Sequence, residues 1–187
     1  MLYQFLSDAL SALRLRFATP GHYRYGPAVF IAVLVLIAAV NAVGMAPVFG
    51  NGNGALAFAL CLTVLKVFVL ARAMDVTLNY FGAPNVRLLG FILLTEALMI
   101  PTLLVYYVAA LAPVALFWQV WTFWVQIIGL MRMSGQPLMK ILIGYLVYLL
   151  VLMLLGSLLV ALFVQAGWLD IQQINLQMEE LMKSVPQ

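Results

Sequence analysis

The sequence predicts an all-α polytopic membrane protein: five transmembrane helices in a single membrane domain, with amphipathic N-terminal and C-terminal helices. Apolar residues make up 66% of the 187-residue chain and charged ones 8%. An ordinary soluble domain carries about 25% charged residues, so this chain cannot cover an aqueous surface. The apolar residues gather into five runs of span length. Lysine and arginine fall in alternate joins between those runs. Arg14, Arg16 and Arg24 precede the first, Arg72 and Arg87 bracket the second join, and Arg132 and Lys140 bracket the fourth. The segment from Gly44 to Gly54 and the pair Ala112-Pro113 carry no charge. Cations collect in cytoplasmic loops, which predicts an N-terminus on the cytoplasmic side and a C-terminus outside.

Residues 1–26 read as a cytoplasmic arm. Leu2, Phe5, Leu6, Ala9, Leu10, Leu13 and Phe17 repeat at helical spacing, with Gln4, Ser7, Asp8, Ser11 and Arg14 on the other face. Such a helix lies in the membrane interface with its arginines at the headgroups. Pro20-Gly21 is expected to end it, and Gly26-Pro27 to open the first span. Residues 27–168 form the bundle, with spans expected over Ala28–Val43, Ala55–Met74, Leu88–Leu111, Val114–Met131 and Ile141–Ala166. Helices follow because a backbone in lipid satisfies its own hydrogen bonds, and the runs lack the alternation of a barrel. The first apolar run starts behind too long an arm for a cleaved signal peptide and reads as a retained signal-anchor. Ala112-Pro113 predicts a tight hairpin between spans three and four. Gly167 can stop the fifth span and Trp168 suits the interface. Residues 169–187 then form an external amphipathic tail, opened by Asp170 and Gln173 as a capping box, with Ile171, Ile174, Met178, Leu181 and Met182 on one face.

Two ionisable residues lie inside the expected spans, Lys66 in the second and Glu96 in the third. Either alone costs about 2.5–3.5 kcal/mol at a helix centre, and adjacent antiparallel spans can pair them. The pair reads either as a brace fixing two helices or as a proton, ion or substrate site. Pro101 follows Glu96 closely, removes a backbone donor and predicts a kink that frees the Ala97 carbonyl. Gln119, Thr122 and Gln126 recur at helical spacing on the fourth span, with Gly129 continuing the stripe. Side chains of this kind join helices in lipid and can complete a polar cluster with Lys66 and Glu96. Trp118 fits an interfacial belt, while Trp121 and Trp124 are expected to pack against neighbouring spans.

Several function classes find no support. The Gly50 to Gly54 run follows no strand and lacks the lysine and hydroxyl of a phosphate loop, so no nucleotide is expected. The formal charge of +3 is dispersed along membrane edges, which argues against nucleic acid. Cys61 has no partner cysteine, His22 has no second histidine, and no catalytic arrangement is visible, so no cofactor, metal or enzymatic activity is expected.

Three segments resemble the Yip family, small five-span proteins of the early secretory pathway and their bacterial relatives. Tyr25-Gly26-Pro27 is similar to the end of the family's Asp-Leu-Tyr-Gly-Pro motif, with His22 to Arg24 departing from its start. Leu78 to Pro101, which includes Gly82, resembles the family's small-residue turn, basic residue and third span ending in proline. Trp124 to Lys140, with Gly129 and Gly135, resembles its fourth-span ending, glycine-rich turn and basic start of span five. The resemblance implies a non-enzymatic membrane-organising role. Eukaryotic members bind Rab GTPases through a long cytosolic region, replaced here by a short arm as in bacterial members. The leading expectation is a scaffold or assembly factor whose partners are the bilayer, other membrane proteins or further copies of itself. The alternatives are a small transporter or channel built on the Lys66–Glu96 cluster, and an accessory subunit of a larger membrane complex.

Overall fold

A computed structural model describes residues 2–49, 52–84, 87–103 and 108–169. The tail expected from Asp170 onward lies outside the described residues. Among the described residues there is no strand; six α-helices follow one another as α1 Leu2–Leu13, α2 Pro27–Phe49, α3 Asn53–Tyr80, α4 Leu89–Ala97, α5 Ala112–Ser134 and α6 Leu138–Gln165. Four of these, α2, α3, α5 and α6, are long and apolar enough to cross a membrane. At 1.5 Å per residue the 23-residue α2 and α5 reach about 35 Å. The 28-residue α3 and α6 reach about 42 Å. Each therefore exceeds the hydrocarbon thickness of about 30 Å. All four run past the expected spans at one end or both.

The third expected span departs from expectation. Among the described residues of this stretch, α-helix covers only the nine-residue α4, followed by a 3-10 turn over Ile100–Leu103 and another over Ala109–Leu111. After Thr95 the ladder tightens, with Leu98 N–H bonding to the Thr95 carbonyl and Met99 N–H to that of Glu96, both at 3.2 Å. Pro101 then has no N–H to return to Ala97. The Thr102 hydroxyl takes the Met99 carbonyl at 2.6 Å, a local bond that competes with helix continuation. Proline alone predicts a kink; with these added bonds it produces a break. Ala112-Pro113 is likewise not the join itself but the first turn of α5, where proline is tolerated because its missing N–H would go unpaired.

α4, apolar apart from Thr95 and Glu96, sits among α1, α2, α3 and α5, with Phe91, Ile92, Leu93 and Leu94 at the centre of the core. α1 ends at Leu13, seven residues before Pro20, in a left-handed cap. Leu15 has φ +58°, its N–H bonds to the Ala12 carbonyl and that of Arg16 to Ser11. The arm thus folds back onto the bundle. Phe5 and Ala12 are buried while Leu2, Leu6 and Leu10 stay exposed, so only part of the expected apolar face is left for lipid. Asp8, expected on the outward polar face, instead accepts bonds from the Tyr25 hydroxyl and the His22 ring, each at 3.0 Å. Arg132 reaches the Leu15 carbonyl at 3.2 Å and stacks over Phe17.

The residues singled out by family resemblance occupy structural positions. Gly26 offers the carbonyl that receives Phe30 N–H at 3.0 Å and Pro27 is the first residue of α2. Gly82 and Gly135 hold φ +81° and +66° in the turns after α3 and α5, a conformation costly for a residue with a Cβ. Gly167, at φ +71°, stops α6 as expected.

Candidate functional site: a polar pair at a helix break

Lys66 stands midway along α3, thirteen residues from Asn53 and fourteen from Tyr80. Glu96 is the penultimate residue of α4. The two approach to 3.6 Å between Nζ and Oε2, with side chains 31% and 18% exposed. That separation exceeds the 2.7–2.9 Å typical of charge-assisted bonds. Among the described residues neither the ammonium nor the carboxylate makes a hydrogen bond. A structural brace in a low-dielectric setting needs close geometry and satisfied valences to offset its desolvation. This pair has spare capacity on both partners.

That capacity opens on space. A cavity of about 260 Å³ lies toward α2, where Asn41, Lys66, Glu96, Thr102 and Gln119 share the wall with apolar side chains such as Ile37 and Met45. A second, of about 190 Å³, lies toward α5, lined by Lys66, Thr95, Glu96, Gln119, Thr122 and Gln126, with Met99 and Phe123. Lys66, Glu96, Met99 and Gln119 line both. The structure therefore brings Lys66, Glu96, Gln119, Thr122 and Gln126 to one place, with Pro101 just beyond the helix end that exposes it.

A hydrogen-bonded frame surrounds the pair. Gln126 Nε2 donates to Thr95 Oγ1 at 2.7 Å and its Oε1 accepts from the Tyr145 hydroxyl at 2.6 Å. Thr95 shares its own proton between the Phe91 and Ile92 carbonyls. This chain ties α4 to α5 and α6. Thr122 Oγ1 lies 3.0 Å from the Gln119 carbonyl and 3.1 Å from Met99 Sδ. Asn41 Nδ2 donates to Thr63 Oγ1 at 2.9 Å, linking α2 to α3. Trp118 does not simply serve a belt: its indole N–H donates to the Leu98 carbonyl at 2.6 Å, satisfying an acceptor at the helix break. Trp124 is 45% exposed, so it faces outward and not a neighbouring span. Gly129 lets α5 approach α4, since a Cβ there would lie 2.2 Å from Phe91 Cζ.

Sequence reasoning missed Thr95, Tyr145, Asn41 and Thr63. Thr95 directly precedes Glu96, and Tyr145 sits one turn before Tyr148, but threonine and tyrosine in apolar helices carry no signal without knowledge of which faces meet. Asp75 was also missed; it lies in α3 one residue past the expected span, with Oδ1 buried and unpaired among the described residues. No group of three or more His, Cys, Asp or Glu side chains converges among the described residues.

No protein-family model, curated protein or solved structure matches this chain.

Proposed function

We propose that this protein is a small carrier or channel that binds and passes a polar solute at Lys66 and Glu96. The supporting observation is the pair itself: opposite charges 3.6 Å apart, unsatisfied by hydrogen bonds among the described residues and facing cavities on both sides. A helix broken at mid-membrane depth lining a polar cavity is a recurrent way to place a solute site in a bilayer.

In this reading the chain crosses the membrane five times, four times by long helices and once by the broken segment. Gly90 packs against the Tyr23 carbonyl and Phe91 against Phe17, so α4 starts at the arm's end of the bundle. Arg132, near the end of α5, reaches the same arm. These contacts support a reading in which the chain crosses the bundle between α4 and α5, with the N-terminus on the cytoplasmic side of a bacterial inner membrane and the C-terminus outside.

Purified protein reconstituted into liposomes tests this with a panel of protons, potassium, chloride and small neutral or zwitterionic solutes. Saturable flux of at least one is expected, falling about tenfold or more in Glu96→Gln, the effect of roughly 1.4 kcal/mol. Unchanged flux in that variant removes Glu96 from the mechanism.

A second reading, the scaffold or membrane-organising role implied by the Yip resemblance, draws on the outer face of the bundle. α6 buries only Ile141, Gly144 and Tyr148, and an apolar groove of about 560 Å³ runs between α3 and α6 past Leu60, Phe68, Leu155 and Leu162. A stoichiometric membrane partner or defined oligomer recovered in mild detergent supports that role, or an accessory place in a larger complex. A monomer free of partners after crosslinking in cells counts against it.

A further inference from the structure

We propose that the solute is a small zwitterion bearing an ammonium and a carboxylate on the same carbon, of the size of a small apolar amino acid. This rests on the reading of Lys66 and Glu96 as a solute site. The described residues lining the two cavities carry one positive and one negative formal charge, Lys66 and Glu96, and are otherwise neutral. A solute bearing only positive charge pairs with Glu96 but strands the Lys66 ammonium in an apolar setting. A solute bearing only negative charge strands Glu96 in the same way. Unpaired buried charge is the costly state in a bilayer. A zwitterion inserted between the two gives each its opposite and leaves the site neutral. Lys66 is the partner able to make room, because its ammonium rides on a flexible four-carbon stem, while Glu96 is fixed near the end of α4.

Size and polarity narrow the class further. The larger cavity, about 260 Å³, lies just below the roughly 300–1,000 Å³ of pockets for drug-sized ligands, which suits a small metabolite-sized occupant. Around the charged pair its wall is mixed. Asn41, Thr102 and Gln119 offer hydrogen bonds beside the charges, and Ile37, Val40, Met45 and Ile100 form an apolar flank. A compact polar head with a short apolar side chain matches both parts of that wall.

The test measures uptake of radiolabelled L-alanine into proteoliposomes holding the full chain, with L-alaninamide and L-lactate as competitors that each keep one of the two charges. Saturable alanine uptake is expected, with both half-analogues competing at least tenfold more weakly than unlabelled alanine. Lys66→Met is expected to favour alaninamide over alanine, and Glu96→Gln to favour lactate. The double variant Lys66→Met/Glu96→Gln removes both charges without stranding either, so it guards against misfolding of the single variants; it is expected to stay monodisperse and to lose alanine uptake. Equal competition by either half-analogue overturns the zwitterion assignment, as does uptake that survives the double variant. Glu96-dependent flux of protons or potassium without alanine uptake overturns it too, while leaving the carrier or channel reading standing. Absence of flux for every solute tried overturns both.

Discussion

At position 129 a single methyl group decides whether two helices can touch. A Cβ there would meet Phe91 Cζ at 2.2 Å and Phe17 Cε1 at 2.9 Å, and Phe91 is fully buried and cannot swing away. Gly129→Ala is expected to destabilise by about 1–3 kcal/mol, the usual cost of overpacking, read as a lowered thermal midpoint in detergent. Gly156→Ala, where a Cβ meets nothing within 4 Å, is the contrast: it should be neutral or gain up to about 1 kcal/mol of helix propensity. In the arm, the Tyr25 phenol is pushed above the ordinary tyrosine range by its burial and then by the Asp8 carboxylate beside it. Burial raises that of Tyr23 as well. A raised folded value means that the folded chain holds these protons more tightly. The associated stability is complete below the unfolded value of about 10 and is lost as pH rises above it. An ultraviolet titration of the protein minus that of Tyr25→Phe should show Tyr25 ionising later than an exposed tyrosine; ionisation at the ordinary value would mean that the arm is not docked. At this scale the sequence was partly legible. Lys66 and Glu96 stood out because charges are so rare in these runs, whereas Asp8 read as an outward-facing polar residue because its partner Tyr25 lies seventeen residues away.

Among the elements, α4 decides the character of the molecule. Periodicity and hydropathy both favour one long helix through residues 88–111, and Pro101 by itself argues only for a bend. What ends the helix at Ala97 is the sum of several acceptors captured elsewhere. The Leu98 carbonyl is taken by Trp118 from twenty residues downstream and the Met99 carbonyl by Thr102. The Trp118 bond depends on how α5 packs and cannot be read from the sequence near the break. Pro101→Ala restores a donor for the Ala97 carbonyl and should lengthen α4. Hydrogen exchange over residues 98–103 is expected to slow, and flux to fall as the straightened helix closes the space beside Glu96. Faster exchange, or flux at the level of the unaltered protein, contradicts that role for the break. The arm shows the same division between local and non-local causes. Helical spacing in residues 2–13 was plain, but the fold-back at Leu15 was not, since a leucine in a left-handed cap goes against its usual preference.

For the whole molecule, composition predicted helices long and apolar enough to cross a membrane, four of which the described residues contain, and the cations predicted which joins share a side. Composition could not distinguish a long third helix from the short α4 and the 3-10 turns found among the described residues, because both arrangements bury the same apolar residues. Nor could it say whether a lone lysine and a lone glutamate were sealed together or opened on a cavity; that depends on packing among α2, α3, α4 and α5. The account stands on the second of these being true, and water is the probe for it. The chain has one cysteine, Cys61, so a Cys61→Ser background allows single cysteines to be placed at Gln119 in the cavity wall, at Leu158 facing lipid and at Gly52 in the turn before α3. Modification by a charged, water-soluble thiosulfonate in proteoliposomes is the measurement. The account predicts that Gln119→Cys reacts as Gly52→Cys does while Leu158→Cys stays unmodified. A Gln119→Cys as inert as Leu158→Cys, with Gly52→Cys reactive, would mean that Lys66 and Glu96 are a dry brace.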